Sequence, residues 1–273
     1  MRRTGVSLRL RLMMLVGVPF FGMLAVTAIS LVGLIAIERE QTEASRAAQL
    51  EQTALVIQAE LRDVDLSLEQ LLTGRGDADL VRVEEHMARA QSLLARLATL
   101  DAGMVLRGEV GAIAGALARM RERFVDLVAA QDRIGFTLDQ GLRGTFRDAA
   151  GEMERRLRTE APQDATPWRL RVMNALLMVR RYEKDYMLTG SQEALGWHRQ
   201  ALEALNRELA AVPADERWLA DQVMPYLGAY RTAFERHIAD TAARRSAEAA
   251  FTEHLRDGLG VAQRVVALAG QHE

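Results

Sequence analysis

The 273-residue chain has no cysteine, one lysine, five prolines and only 5% aromatic residues. Without cysteine it can build neither a disulfide-stapled scaffold nor a thiolate metal site. So few aromatics and turn residues also exclude a typical β-sandwich or barrel, whose strands want aromatic and β-branched side chains between frequent turns. The five histidines are scattered, and there is neither an HExxH pair nor a phosphate-binding glycine loop. Nothing resembles a catalytic constellation, so the expectation is a non-enzyme without cofactor or metal. Excess charge is lacking as well, since 35 basic residues face 37 acidic ones. That balance averages unlike parts. Arg2, Arg3, Arg9 and Arg11 make residues 1–11 basic, 12–37 carries no charge, and the remainder is acidic by −6. Nucleic acid is therefore not an expected partner.

What is present begins with the uncharged, mostly apolar run Leu12 to Ile37. As a helix it would cross a hydrocarbon core of roughly 30 Å with some tilt, and Pro19 within it is tolerated there. Four arginines precede the run, and Glu38, Arg39, Glu40 and Glu43 follow it. The positive-inside rule puts residues 1–11 in the cytoplasm and 38–273 outside, as expected for a bacterial inner-membrane protein with a periplasmic domain. The alternative is a cleaved signal peptide, whose apolar region would be only about 7–15 residues.

Beyond the run, apolar residues recur at helical spacing. Leu50, Ala54, Ile57, Leu61, Val64, Leu68 and Leu71 form one seam, and Leu106, Val110, Ile113, Leu117, Met120, Phe124 and Leu127 another. Breakers at 74–76, 101–103, 162–167, 190–191 and Pro213 divide the domain into six helices, and Pro225 should kink or fray the sixth. The third and sixth are expected to be long, about 60 and 56 residues, and the others about 20–36. The expected architecture is all-α: a transmembrane helix, then an elongated six-helix domain of two stacked four-helix bundles sharing the two long helices. The alternative is one irregular bundle with a broken third helix, which Gly135, Gly141 and Gly144 keep open.

Charge intrudes on two seams. In the fourth helix Arg180 and Glu183 fall within the apolar arc of Val172, Met173, Leu176, Leu177, Val179 and Met187, and Lys184 falls on its edge. A buried arginine must be paired, so Arg180 meets Glu183 or a residue of a neighbouring helix, unless one cation here is kept for an anionic ligand. Arg181 and Asp185 have the spacing of an exposed ion pair. His198 lies on the fifth helix's seam, a place more typical of a satisfied core residue. In the sixth helix the seam turns polar through His237, Thr241, Arg244 and Glu248, while a shift of one register would turn Arg245 inward. Polar groups converging inside a bundle are the usual mark of a ligand cavity, although a dry structural network is the competing reading.

Residues 180–188, Arg-Arg-Tyr-Glu-Lys-Asp-Tyr-Met-Leu, are similar to the RRxEKDF segment of helical bimodular sensor domains in methyl-accepting chemotaxis proteins. Gly141, Leu142, Gly144, Arg147 and Glu154 resemble that family's GLxGxxR…E segment. The resemblance spans about 38–270, with Tyr186 where phenylalanine is usual. It implies a periplasmic sensor of small organic anions, typified by C4-dicarboxylates, with one possible site per module, working as a homodimer in a chemotaxis transducer. A complete receptor would continue past Glu273 into a second membrane helix and cytoplasmic signalling regions, which downstream partners would need. The same module could front a histidine kinase or another transmembrane signalling protein. A ligand-free coiled-coil scaffold is the alternative of a different class. The candidate ligand-binding residues come from the seams: Arg62, His237, Arg244 and Arg245 in one module, and Arg180, Lys184 and His198 in the other.

Overall fold

The computed structural model describes residues 8–73, 77–101, 106–159 and 166–270. These residues are all-helical, with no strand among them. The elements are α1 (Leu8–Leu72), α2 (Asp77–Leu100), α3 (Arg107–Ile134), α4 (Gly141–Thr159), α5 (Pro167–Thr189), α6 (Gln192–Ala210) and α7 (Arg217–Ala269). A 3-10 turn at Ala214–Glu216 leads into α7, which runs through Pro225 without interruption.

Backbone 12–37 belongs to α1, but most of its side chains lie outside the described residues, and with them the reading of that stretch as a membrane helix. Among the described residues no helix is long and apolar enough to cross a membrane.

The expected long third helix is two helices, α3 and α4. The chain leaves α3 through Gly135, at φ 99°, and enters α4 through Gly141, at φ 55°. Both angles lie in the left-handed region where a Cβ is strained. A side chain at either position would also collide with backbone, at Gln140 for Gly135 and at Arg133 and Gly135 for Gly141. Gln131 is buried and caps the break, its Nε2 donating to the Gly135 carbonyl at 3.0 Å. Arg147 reaches back to pair with Asp139 in the connecting turn. The glycines and arginine of the 141–154 segment thus shape a turn; hydrophobic periodicity continues on both sides of it, which made one long helix the natural expectation.

The chain divides into two compact units: 1–66, 82–117 and 255–273 form unit 1, and 67–81 with 118–254 form unit 2. In unit 1 the core is filled by Ile57, Leu61 and Val64 of α1, Val83, Met87 and Leu94 of α2, Ile113 of α3 and Val265 of α7. Gly258 of α7 faces this core, where a Cβ would stand at ordinary contact distance, 3.5 Å from Ala116 and 3.6 Å from Leu61.

In unit 2 four helices contribute to one apolar cluster: Phe146 and Met153 from α4, Val172 and Leu176 from α5, Leu195 and Leu205 from α6, and Leu227 and Phe234 from α7. Each fully buried side chain of this kind stabilises the fold by about 1.5–3 kcal/mol. A tight turn joins α5 and α6. Gly190 ends α5 in the left-handed conformation at φ 62°, its N–H bonded to the Tyr186 carbonyl, and the Ser191 hydroxyl caps α6 by accepting from the Ala194 N–H at 3.1 Å.

Candidate functional site

Among the buried polar groupings in the described residues of unit 2, two differ in how completely they are satisfied. The first links α5, α6 and α7. Arg180 donates to both oxygens of Glu183 at 2.8 and 2.7 Å. Glu183 also accepts from the Tyr230 hydroxyl at 2.8 Å, and that hydroxyl lies 2.8 Å from His198 Nε2. Because the only hydroxyl proton points to Glu183, His198 must be the Nε2–H tautomer donating to the tyrosine oxygen. Burial pushes the Glu183 carboxyl up, against the opposing pull of Arg180, and pushes Tyr230 up as well. Burial, and secondarily Arg199, lowers His198 to about 4. Every member has a partner within the network, which gives Arg180 and His198 structural contacts. Lys184 is exposed, acting on Glu183 only as a more distant charge.

The second grouping joins α4 to the polar seam of α7. His237 is 3% exposed and packs edge-on against Phe146 with ring centroids 5.4 Å apart. Burial, then the charge of Arg143, lowers His237 to about 4, so the ring is neutral at pH 7. Its Nδ1 has no hydrogen-bond partner among the described residues, nor has the buried Thr241 hydroxyl one turn on. Arg143, at the start of α4, is half-buried; its Nε is also without a partner, and among the described residues no acid pairs with it. Burial, and then the like charge of Arg244, depresses its pKa. Arg244 has its own acid, Glu248, at 3.2 Å, while Asp240 is taken by Arg133 at 2.9 Å. Arg143 is therefore the uncompensated cation. Each unsatisfied buried group costs about 1–3 kcal/mol, and an anion beside Arg143 would supply the acceptor its Nε lacks.

The structure brings His237 and Arg244 onto the same face of α7, as their spacing predicts. Arg245 departs from them: it is exposed and lies over the α5–α6 turn, its guanidinium 2.5 Å from where a Cβ on Gly190 would stand. Arg62 is exposed and belongs to unit 1, so it does not join the others. Arg181 makes no ion pair with Asp185; it lies over the Tyr182 ring at 5.9 Å. Sequence reasoning missed Arg143, although the residue sits between the two glycines of the Gly141-Leu-Arg-Gly144 segment. It missed also that a second buried arginine, Arg169, is held by Glu216 at 2.8 Å.

A cleft of about 570 Å³ opens between α3 and α7, lined by alanines such as Ala129, Ala130, Ala243 and Ala247 together with Arg123 and Arg133. Those α7 residues lie on a different helical face from His237, Thr241 and Arg244. Its arginines are already matched, Arg123 by Asp126 at 3.1 Å and Arg133 by Asp240. The cleft has the room for a small molecule but no unmatched charge to select one. No protein-family model and no curated protein sequence matches the chain.

Proposed function

We propose that the chain is the ligand-sensing part of a membrane-anchored chemotaxis transducer and binds a small organic anion in unit 2, at Arg143, Arg244, His237 and Thr241. The observation that carries the reading is Arg143, a half-buried cation with no acid partner among the described residues, whose charge acts on the buried His237, itself with an unpartnered Nδ1. A sequence under pressure for stability alone would not keep that arrangement. The uncompensated charge of Arg143 matches one carboxylate group, which a guanidinium binds in a bidentate fork.

The remainder of the reading draws on wider features. The uncharged run 12–37 and its preceding arginines favour an inner-membrane anchor with the bulk of the chain periplasmic. α1 continues as one helix from that run to Leu72, which would couple sensor to membrane directly. The shared core of α4–α7 supports a four-helix module, and α7 has segments in both units, in keeping with two modules that share a long helix. The resemblance of residues 141–154 and 180–188 to bimodular sensors adds the chemotaxis output and the homodimer. A ligand that draws α4 toward α7 would act by shifting the balance between two helix arrangements.

One observation favours the scaffold reading instead: Arg244 and Glu248 pair within α7. A thermal-shift screen against organic acids, amino acids and inorganic anions separates the two. A ligand at 100 times its dissociation constant stabilises by about 2.7 kcal/mol. The sensor reading expects such a response to organic acids, lost in Arg244→Ala and retained in Arg181→Ala. A flat response, or equal loss in both variants, would support the scaffold.

A further inference from the structure

We propose that Glu60 and Asp63 of α1 and His86 of α2 form a binding site for a divalent transition-metal ion in unit 1. This site is independent of the anion reading and shares no residue with it. Glu60 and Asp63 are three residues apart and so occupy one face of α1. One donor atom from each of the three side chains lies within 4.8 Å of the other two.

The distinguishing feature is the His86 ring nitrogen Nδ1. It lies 2.7 Å from Glu60 Oε2, 2.8 Å from an Arg89 guanidinium nitrogen and 4.0 Å from Asp63 Oδ2. A ring nitrogen offers either an N–H or a lone pair. With the proton on Nδ1, Glu60 is satisfied and the Arg89 N–H meets another N–H. Without it, Arg89 bridges the two, donating from Nε to Glu60 Oε2 at 3.0 Å and from a terminal nitrogen to Nδ1, but the Nδ1 lone pair then faces that carboxylate oxygen at 2.7 Å. Each state leaves one like-against-like contact. A cation that brings no hydrogen atoms resolves the conflict, because the Nδ1 lone pair and both carboxylate oxygens can then share it.

Arg89 can yield the position. It is 46% exposed, and Glu85 one turn away already stands 3.6 Å from its other terminal nitrogen. A divalent ion also neutralises Glu60 and Asp63 together, which the single charge of Arg89 does not. One imidazole with two carboxylates suits zinc, cobalt or nickel better than magnesium or calcium, which prefer all-oxygen sites. Three protein ligands leave coordination positions for water, so the ion would exchange, pinning α1 to α2 when present.

The test is calorimetric titration of the metal-stripped, untagged full chain with zinc chloride. Wild type is expected to bind one ion, His86→Ala to bind at least tenfold more weakly, and Arg89→Gln to bind severalfold more tightly because the competing cation is gone. Arg89→Gln keeps all three ligands, so its result stands even if His86→Ala fails to fold. No binding by wild type, unchanged binding in a folded His86→Ala, or weaker binding in Arg89→Gln would each overturn the proposal and leave a plain hydrogen-bonded cluster.

Discussion

Tyr230 and Glu183 are joined by a 2.8 Å hydrogen bond in which the tyrosine hydroxyl is the donor, 47 residues of sequence separating the two. Around that bond the polar interior of unit 2 is closed: Arg180 neutralises the carboxylate from one side and His198 supplies the proton that the tyrosine oxygen needs from the other. The neighbouring group at Arg143, His237 and Thr241 has no such closure. This difference is why we propose a structural role for the one and a binding role for the other.

The closed network sets a first prediction. Tyr230→Phe leaves the His198 N–H without an acceptor and Glu183 with one donor fewer, and should destabilise the fold by about 1–3 kcal/mol in urea denaturation. Arg180→Met should cost more, about 3–5 kcal/mol, because a buried carboxylate loses its counter-charge. Neither substitution should abolish a response to an organic anion.

His198 and His237 predict a pH dependence. Both are held near 4 in the fold by burial, against about 6.5 in an unfolded chain. Between those values the unfolded state binds the more protons, so their contribution to stability is complete above pH 6.5 and is lost as pH falls toward 4. Glu183, raised by burial, works in the opposite sense and is common to every histidine variant. The measurement is therefore a difference. His198→Gln and His237→Gln should each lose less stability than wild type between pH 7 and pH 5, and equal losses would contradict the buried neutral state of both rings.

Much of the helical pattern was legible, because burial imposes a period that the sequence must carry. The turn of α7 from apolar to polar could be read the same way, and His237, Thr241 and Arg244 do fall on its less exposed face. What could not be read were relationships set by distant packing. His198 looked like a core histidine, but its partner Tyr230 belongs to another helix. The α3–α4 break rests on left-handed glycine angles and close backbone contact, and apolar periodicity does not register either. Once the helix was expected to be continuous, Arg143 was only a motif position with no assigned face. Leu177 shows the opposite error, an apolar residue placed in the arc that is in fact 48% exposed.

The break predicts opposite outcomes for two glycines close in sequence. Gly135→Ala puts a Cβ at φ 99° and into the Gln140 backbone, so it should destabilise by at least the roughly 1–3 kcal/mol of the strained backbone alone. Gly151→Ala lies within α4 with open space around it and should stabilise by roughly 0.5–1 kcal/mol. Similar effects at the two positions would contradict the break as described.

The most direct test of the account is the stability of Arg143→Met with and without the organic acid that gives wild type its largest thermal shift. Replacing an uncompensated, half-buried cation by an apolar side chain of similar length should make the ligand-free protein more stable, by about 1 kcal/mol. The same change should erase the ligand-induced stabilisation. A variant that is less stable than wild type when free, yet keeps the full ligand response, would contradict Arg143 as the centre of an anion site.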